Sequence, residues 1–391
     1  MAFAFIWNII LIGYLVFIYI LLALNNKKYS PYNKPFSIII PCYNEDKRYL
    51  KECIRSIFKA KGKKQVILVD DGSNNLDTRD AINELKGEFP ELVVLYQKNM
   101  GKRHAHQLGL KECRYDIAIF VDSDTIIDEN AFMELIKPFQ DENIGAVSGN
   151  VKLANEKENF LTKMISAMFW TSFNISRRAS ANAFYMQVCP GCLSAYRTSY
   201  LRKIMPSYIN QKFLGKPCTI SDDRYLTLRV QMCCGKKVAF QGDAMSYTYI
   251  SSNVKGFFKT LLRWKKGCIK EILLLLFKAP NKRKNLLLVV DTFFNLLLSY
   301  TMLFFKFMLL IFLIIGIINR QYLIIALSLF SLVVIMVIFS GLHALYMLFE
   351  EEGRKKFLYK IVYNLFYEFF LFATIVPATL GIRNQGSWGT R

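Results

Sequence analysis

The sequence lacks the two glycine-rich motifs by which many enzymes hold a nucleotide. No Gly-X-Gly-X-X-Gly follows the first predicted strand, and no Gly-X-X-X-X-Gly-Lys-Ser/Thr occurs, so neither a dinucleotide site nor a P-loop is predicted. An aromatic-basic RNA-binding motif is also missing, and we expect no nucleic-acid partner. A nucleotide would therefore have to be held by carboxylates, a metal ion and separate basic side chains.

Histidine is scarce, and cysteine is confined to one part of the chain. There are three histidines and nine cysteines, and every cysteine falls between Cys42 and Cys268. The motif Cys189-Pro-Gly-Cys192 has a spacing found in zinc and redox sites, but the chain has no second paired motif to complete such a site. We therefore predict reduced thiols, as in a cytoplasmic domain.

Acidic residues are outnumbered by basic ones. The chain has 30 Asp and Glu against 51 Lys and Arg, which gives a formal net charge of +21. This excess favours two kinds of anionic partner. Basic residues beside membrane segments attract anionic lipid headgroups, and a positive surface attracts an anionic substrate or polymer. The charge alone does not choose between them.

Apolar residues are abundant and unevenly distributed. Hydrophobic residues make up 53% of the chain, and nearly unbroken apolar runs cover residues 3–24, 286–318, 322–349 and 357–382. Each run exceeds the roughly 20 residues that cross a bilayer. The first has neither the basic start nor the small-residue cleavage site of a signal peptide. The sequence therefore predicts a multi-pass protein of the cell membrane, in contact with its lipids.

The basic residues also predict an orientation. Lysines and arginines at 27–28 and 278–284 flank the polar stretch between the first two apolar runs. Because cytoplasmic loops carry an excess of Lys and Arg, this stretch is predicted to be cytoplasmic. A full crossing by residues 357–382 would leave the C-terminal residues outside. Since proline breaks helical hydrogen bonding, Pro377 makes a re-entrant or interfacial path the alternative for this run.

Within the polar stretch, predicted strands alternate with predicted helices. The strands cover residues 36–41, 65–72, 92–96 and 117–121, and this alternation is typical of a mainly parallel sheet. Polar residues gather at the strand ends, where open parallel sheets bind their ligands. Three such clusters predict one shared nucleotide pocket: Tyr43-Asn44-Glu45, Asp70-Asp71 and Asp122-Ser123-Asp124.

The last of these clusters is the most informative. Asp122 and Asp124 stand one residue apart at the end of an apolar strand, and carboxylates so close repel each other unless a cation lies between them. A hard divalent ion shared with a phosphate would satisfy both. A solvated turn at the end of the strand is the alternative for an isolated Asp-X-Asp.

Taken together and in order, the motifs resemble those of family-2, inverting, processive glycosyltransferases of the hyaluronan synthase and chitin synthase group. The resemblance covers nearly the whole chain. It implies an α/β fold, with a GT-A type, mainly parallel sheet domain inserted between transmembrane helices, and interfacial helices. The motifs that carry it are Ile40-Pro-Cys-Tyr-Asn-Glu45, Val69-Asp-Asp-Gly-Ser73, Gly101-Lys-Arg-His-Ala105, Val121-Asp-Ser-Asp-Thr125, Cys189-Pro-Gly-Cys-Leu-Ser-Ala-Tyr-Arg197, Ser221-Asp-Asp-Arg-Tyr-Leu-Thr227, Arg263-Trp264 and Ser387-Trp-Gly-Thr-Arg391.

The resemblance divides the chain into five parts. Residues 1–28 would form the first transmembrane helix, and residues 29–250 the cytoplasmic GT-A domain. Residues 251–285 would form interfacial helices that carry the Arg-Trp motif. Residues 286–382 would form transmembrane or re-entrant helices around a polymer channel, and residues 383–391 a gating loop that closes over the nucleotide.

The resemblance also implies how a UDP-sugar is bound. Asp124 with Asp122 would hold Mn²⁺ or Mg²⁺ against the diphosphate. Tyr43 would stack on uracil, although it could equally be a loop aromatic, and Asp71 would hydrogen-bond uracil or merely form the turn before a glycine. The predicted UDP-binding residues are Tyr43, Glu45, Asp71, Lys102, Asp122, Arg263, Trp388 and Arg391.

Catalytic and acceptor roles follow from the same resemblance. Asp223 is predicted as the base that deprotonates the acceptor hydroxyl, with Asp222 as its neighbour and Arg224 as its partner. The alternative is that the two aspartates cap a helix over residues 224–232. The predicted acceptor-binding residues are Cys189, as a wall residue and not a nucleophile, Gly191 and Trp264. Thr260 replaces the glutamine that the family carries before Arg-Trp.

The function implied is a processive, inverting β-glycosyltransferase that polymerises UDP-sugars at the cytoplasmic face and secretes the polysaccharide, as a monomer. Hyaluronan synthesis from UDP-GlcNAc and UDP-GlcA is the nearest resemblance. A chitin-like N-acetylglucosaminyltransferase or another capsular polysaccharide synthase is the alternative within the class. A non-processive enzyme that moves one sugar to a lipid carrier is the alternative from a different class.

Overall fold

The computed structural model describes residues 28–183, 185–278, 286–323, 325–327 and 346–383, with isolated positions at 13, 17, 18 and 20–22. Its strands, numbered along the chain, are β1 (Phe36–Cys42), β2 (Lys64–Asp70), β3 (Val93–Tyr96), β4 (Ile117–Phe120), β5 (Thr125–Ile127), β6 (Ile144–Leu153), β7 (Ser194–Arg197), β8 (Lys212–Phe213), β9 (Lys216–Pro217) and β10 (Lys237–Thr248).

Eight of these strands form one sheet, in the order β3-β2-β1-β4-β7-β6-β10-β5. Strands β1 to β4 pair in parallel, as predicted from the sequence, and β6 pairs in parallel with β10. In contrast, β7 is antiparallel to both β4 and β6, and β5 is antiparallel to β10. The sheet is therefore mixed, with its parallel half built from the four strands that the sequence predicts.

The helices pack on both faces of the sheet and beyond its C-terminal strand. They are α1 (Lys47–Lys59), α2 (Leu76–Glu88), α3 (Lys102–Glu112), α4 (Ala131–Ile136), α5 (Phe160–Thr171), α6 (Arg178–Asn182), α7 (Thr198–Ile209), α8 (Asp222–Cys234), α9 (Val254–Lys278), α10 (Leu286–Ile318) and α11 (Glu351–Leu380). A 3₁₀ turn (Lys137–Gln140) follows α4, and a π-helical turn (Ser172–Arg177) joins α5 to α6.

The first strand shows why the sheet is buried on both faces. Ile38 and Ile40 pack in one hydrophobic cluster, with α1, α2 and α4, whereas Ile39 between them packs in another, with α3, α7 and α8. Successive side chains of a strand point to opposite faces, so a strand covered on both sides reads as a continuous apolar run. Each such fully buried side chain contributes about 1.5–3 kcal/mol.

Two glycines in helices give a matched test of this packing. A Cβ on Gly109 in α3 would lie 2.5 Å from Ile39 Cγ2, whereas a Cβ on Gly87 in α2 would meet nothing within 4 Å. We expect Gly109→Ala to lower the free energy of unfolding by about 1–3 kcal/mol through overpacking. Gly87→Ala should raise it by about 0.4–1 kcal/mol. Denaturant titration measures both, and equal stabilisation by the two changes would contradict the close packing of α3 on β1.

Two helices differ from their sequence predictions. Helix α8 begins at Asp222, not at residue 224, and Ser221 precedes it with a left-handed backbone (φ 66°), so Asp222 and Asp223 occupy the first turn, where the helix dipole favours negative charge. Helix α11 continues through Pro377 to Leu380, which corrects the prediction of a broken backbone there. Pro377 has no N–H and so removes one hydrogen bond within the helix, and the helix nevertheless continues for three more residues.

The predicted membrane segments are only partly within the described residues. Helix α10 has the same bounds as the second apolar run, whereas the runs at 3–24 and 322–349 lie largely outside. No helix in the described ranges has both the length and the hydropathy required to cross a membrane. Helix α11 is attached to the end of β6 and the turn after it by ion pairs of Lys356 with Glu156 (2.8 Å) and of Glu352 with Lys152 (2.7 Å).

Candidate functional site

The carboxyl ends of the parallel strands bring the polar clusters to one edge of the sheet. Strand β1 pairs in parallel with β2 and β4, so the residues that follow them, Tyr43, Asp71 and Asp122, lie along the same edge. Glu45 Oε2 accepts a hydrogen bond of 2.7 Å from Ser123 Oγ. This bond ties the turn after β1 to the turn after β4.

The Asp122-Ser123-Asp124 turn is fixed by its own backbone and by the last long strand. The Asp122 carbonyl accepts from the Thr125 N–H at 3.0 Å, and Thr248 Oγ1 on β10 lies 3.5 Å from Asp124 Oδ2. Asp124 is only 5% exposed. The backbone of the turn and the carboxylate of Asp124 are thus held in place by contacts within the protein.

Lys102 at the start of α3 lies against this acidic turn. Its Nζ donates to Asp122 Oδ1 at 2.5 Å. Burial by itself would lower the pKa of Lys102, but the carboxylates of Asp122, Asp222 and Asp223 raise it above the usual lysine range. Lys102 is therefore a permanent positive charge between the Asp-X-Asp turn and the aspartates of α8.

Gly191 stands beside the same carboxylate. A Cβ at this position would lie 3.1 Å from both carboxylate oxygens of Asp122 and 3.2 Å from Lys102 Nζ. The neighbouring Cys192 Sγ is 3.7 Å from Asp122 Oδ2. The Cys189–Cys192 segment, predicted as an acceptor wall, thus also borders the predicted metal pair, and glycine leaves room next to the carboxylate.

Gly191→Ala should therefore disturb the site without unfolding the protein. The added methyl group must displace Asp122 or Lys102 by a few tenths of an ångström, and small misplacements at a reacting centre lower turnover by up to about 100-fold. The measurement is the rate of sugar transfer, with circular dichroism as the check on folding. Gly87→Ala, on the exposed side of α2, is the control. Unchanged transfer in Gly191→Ala would show that the space beside Asp122 is not used.

Asp71 has a different environment from the one its predicted role suggests. It is fully buried, and its carboxylate accepts from Gln97 Nε2 (2.5 Å) and from the backbone N–H groups of Met100 (2.9 Å) and Gly101 (2.8 Å). These bonds hold the loop that leads into Lys102. In this structure Asp71 supports, through this loop, the edge of the sheet at which a nucleotide is predicted to bind. A direct hydrogen bond between Asp71 and uracil stays a prediction.

Asp222, on the first turn of α8, forms an ion pair with a buried arginine. Arg103 Nε donates to Asp222 Oδ1 at 2.5 Å, and Arg103 Nη1 donates to Gln211 Oε1 at 2.7 Å. Burial would raise the pKa of Asp222, but Arg103 and Lys102 lower it below the usual aspartate range. Asp222 is therefore a stable anion, and its role as the neighbour of a catalytic base stays a prediction.

In the part of the chain that the structure describes, no arginine side chain is hydrogen-bonded to the Asp223 carboxylate, in contrast to Asp222. Asp223 Oδ1 accepts from the Arg224 N–H at 2.8 Å, and burial raises the pKa of Asp223 above the usual aspartate range. Thr227 Oγ1 donates to the Asp223 carbonyl and accepts from the Cys189 N–H at 2.8 Å. The helix that bears Asp223 is thereby joined to the predicted acceptor wall.

The thiol of Cys189 is not reactive in this setting. Burial raises the pKa of Cys189 to about 12, and the thiolate is the nucleophilic form of cysteine. The role of Cys189 as a wall residue of the acceptor site stays a prediction. All nine cysteines are free thiols.

The Arg-Trp motif lies on α9, which docks against the start of α8. Lys270 Nζ on α9 donates to the Ile220 carbonyl at 2.7 Å, and Gly267 packs directly on Ser221. Trp264 is 41% exposed. Its ring centroid is 6.2 Å from that of Phe169.

Other predicted residues of this region are less constrained. Arg263 is exposed on α9, so its predicted contact with a diphosphate stays a prediction. Thr260, in the place of the family's glutamine, donates to the Gly256 carbonyl of its own helix at 3.2 Å. Trp388 and Arg391 lie outside the described residues.

The Asp122–Asp124 turn is suited to a divalent cation. In the described part of the chain, no three side chains of His, Cys, Asp or Glu are grouped as a complete metal site. Mg²⁺ and similar hard ions are commonly bound by one or two carboxylates together with substrate phosphates and water. Two carboxylates on one turn, with no side chain at Gly191 and a lysine beside them, fit that manner of binding.

Comparison with known proteins agrees with this arrangement. The family model described as Glycosyl transferase family 2 matches residues 37–205. An N-acetylglucosaminyltransferase of Mesorhizobium japonicum is 33% identical over 240 residues, which are 61% of this chain and 56% of that protein. A hyaluronan synthase of Streptococcus pyogenes serotype M1 is 34% identical over 273 residues, 68% of this chain and 65% of that protein. The chain thus spans less than two thirds of the length of these relatives.

A solved structure shares the fold. The mannosyltransferase PcManGT from Pyrobaculum calidifontis, in complex with GDP-Man and Mn²⁺, superposes with a TM-score of 0.60, covering 93% of this chain and 94% of that one at 17% identity. At this identity the likeness shows the fold alone. It confirms the predicted GT-A type α/β architecture, whereas insertion of the domain between transmembrane helices stays a prediction.

Proposed function

We propose an activity for this chain on the premise that its residues 37–205 form a Glycosyl transferase family 2 domain: the processive transfer of sugar from a UDP-sugar to a growing polysaccharide, with inversion at the sugar. One observation carries the proposal. Lys102 is bonded to Asp122 and lies within electrostatic reach of the partly buried Asp223. A positive group for phosphate and a proton acceptor therefore lie close to each other.

The residues divide the chemistry between them. Asp223 takes the proton from the acceptor hydroxyl as that oxygen bonds to the sugar and the bond to UDP breaks. Asp122 and Asp124 would hold Mn²⁺ or Mg²⁺, which supplies charge neutralisation for the leaving diphosphate. Lys102 adds a fixed positive charge for the same phosphates, and burial raises the pKa of Asp223 towards the operating pH, which makes it a stronger base for the acceptor proton.

The donor we propose is UDP-GlcNAc, alternating with UDP-GlcA in hyaluronan synthesis. The names of the relatives, N-acetylglucosaminyltransferase and hyaluronan synthase, support this choice, and they equally support a chitin-like polymer of N-acetylglucosamine. Mn²⁺ in the solved mannosyltransferase supports a divalent cofactor.

We further propose that the enzyme acts, as a monomer, at the cytoplasmic face of the cell membrane. Support comes from the four apolar runs of the sequence and from the lysines and arginines beside them. Residues 286–382 would surround the path of the polymer, and residues 383–391 would close over UDP. Anionic lipid headgroups would bind the basic flanks.

The test is UDP release by purified, detergent-solubilised protein with Mn²⁺, given UDP-GlcNAc and UDP-GlcA singly and together. Polymer that requires both donors supports a hyaluronan-type enzyme, and polymer from UDP-GlcNAc alone supports a chitin-type enzyme. One sugar transferred to a lipid carrier would favour the non-processive alternative. No UDP release from any UDP-sugar would overturn the proposed activity.

A further inference from the structure

A partly buried hydrogen-bond chain joins the helix of the proposed base to α10. Arg224 Nη1 donates to Gln187 Oε1 at 2.8 Å, and Gln187 Nε2 donates to Asp291 Oδ2 at 2.7 Å. Asp291 is only 6% exposed although it belongs to the most apolar helix of the described chain. Residues of three separate segments thus form one polar connection.

The order of charges in this chain is specific. A glutamine amide offers a carbonyl that accepts and an NH₂ group that donates. Here the carbonyl faces the Arg224 cation and the NH₂ group faces the Asp291 anion. The opposite orientation would place donor against donor and acceptor against acceptor. Gln187 is therefore matched to both neighbours in one orientation only.

This hydrogen-bond chain affects the proposed base because Arg224 directly follows Asp223 in the sequence. In the part of the molecule that the structure describes, Arg224 bonds Gln187 through its side chain and Asp223 only through its backbone N–H. The other charged groups around Asp223 are Lys102, Asp222 and Arg177. Burial and the charge of Arg224 lower the pKa of Arg177 to about 10, so Arg177 would not hold a second guanidinium in place.

We propose that Gln187 is a positioning residue, anchored by Asp291, that keeps the Arg224 guanidinium from pairing with Asp223 and ties α10 to the helix of the base. Without this bond Arg224 would be released next to the carboxylate that must receive the acceptor proton. With this bond in place, a displacement of α10 would also move the helix that carries Asp223. The inference rests on the proposed function for its effect on turnover, but not for its effect on stability.

The test replaces the amide of Gln187 by a carboxylate and the carboxylate of Asp291 by an amide, singly and together. Gln187→Glu sets a carboxylate against Asp291 and should lower kcat about tenfold or more, since hydrogen bonds to charged groups are among the stronger ones. Asp291→Asn alone can still accept from Gln187 and should stay within about twofold. In Gln187→Glu/Asp291→Asn, the new amide donates to Glu, which accepts from Arg224, and activity should recover. Gln187→Met/Asp291→Asn is the matched control and should not recover.

A pH profile separates this role from a purely structural one. Gln187→Met releases Arg224 to pair with Asp223, so the acidic limb of kcat should move to lower pH, and the rescued double variant should restore it. The melting temperatures of the same variants test the hydrogen-bond chain without any measurement of activity. If the wild type were inactive, only the proposed function would be overturned. Failure of Asp291→Asn to rescue Gln187→Glu in both kcat and melting temperature would overturn the inference.

Discussion

Replacing Asp223 with asparagine is expected to lower the rate of sugar transfer by about 10²–10⁴-fold, the usual contribution of a general base. Asparagine has the same shape and can still accept from the Arg224 N–H that Asp223 Oδ1 accepts now, so the fold and donor binding should be preserved. UDP release measures the rate, and titration with UDP measures donor binding. Wild-type turnover in this variant would remove Asp223 from the role of base.

The neighbouring residue provides a contrast. Asp222→Asn leaves the buried Arg103 without its carboxylate, and breaking a buried ion pair costs about 3–5 kcal/mol of stability. This change should therefore appear mainly in the melting temperature, whereas Asp223→Asn should appear mainly in turnover. If the two variants behaved alike, the division of labour between the two aspartates would be wrong.

The same assignment predicts a pH dependence. The base must be ionised to accept a proton, and burial raises the pKa of Asp223. A raised pKa means that protonation begins at a higher pH than for an ordinary aspartate, whose pKa is about 3.9. Transfer should thus decline on acidification earlier than an exposed carboxylate would predict. Asp222, whose pKa is lowered, should stay ionised throughout this range.

The parallel half of the sheet and its acidic edge could be predicted from the sequence. Apolar strands ending in polar clusters are local patterns, and the carboxyl ends of parallel strands meet by geometry. The antiparallel strand β7 has only four residues. Its partners β4 and β6 are both distant from it in the chain. No local pattern specifies such a pairing.

The hydrogen-bond networks of Arg103 and Gln187 cannot be predicted from the sequence either, because no local pattern specifies contacts between residues that are far apart in the chain. Arg103 belongs to a motif that the sequence analysis singled out for Lys102, yet its partners Asp222 and Gln211 lie more than a hundred residues away. Arg103 is buried in the structure, where a charged residue needs a partner, but the sequence does not show that burial. Gln187 gave no signal, because an isolated glutamine is ordinary in any loop.

Asp124→Asn is expected to lower UDP release roughly 100-fold or more at a fixed concentration of Mn²⁺, since a metal ion stabilises the charge of the transition state by several kcal/mol. The asparagine carbonyl can still accept from Thr248, which lies 3.5 Å from Asp124 Oδ2, so folding should be intact. Raising the Mn²⁺ concentration should restore part of the rate, because the loss is one of metal affinity.

Asp116→Asn is the matched control for this change, since Asp116 is an exposed aspartate at the opposite end of the same strand, β4. It removes the same charge from the protein as a whole, so a general electrostatic effect would lower both variants equally. If the effect comes from loss of a carboxylate at the predicted nucleotide pocket, only Asp124→Asn should lower the rate of UDP release, and its rate should depend on the concentration of Mn²⁺. Full activity of Asp124→Asn at low Mn²⁺ would exclude this turn as the metal site and leave the diphosphate to Lys102 and the other predicted basic residues.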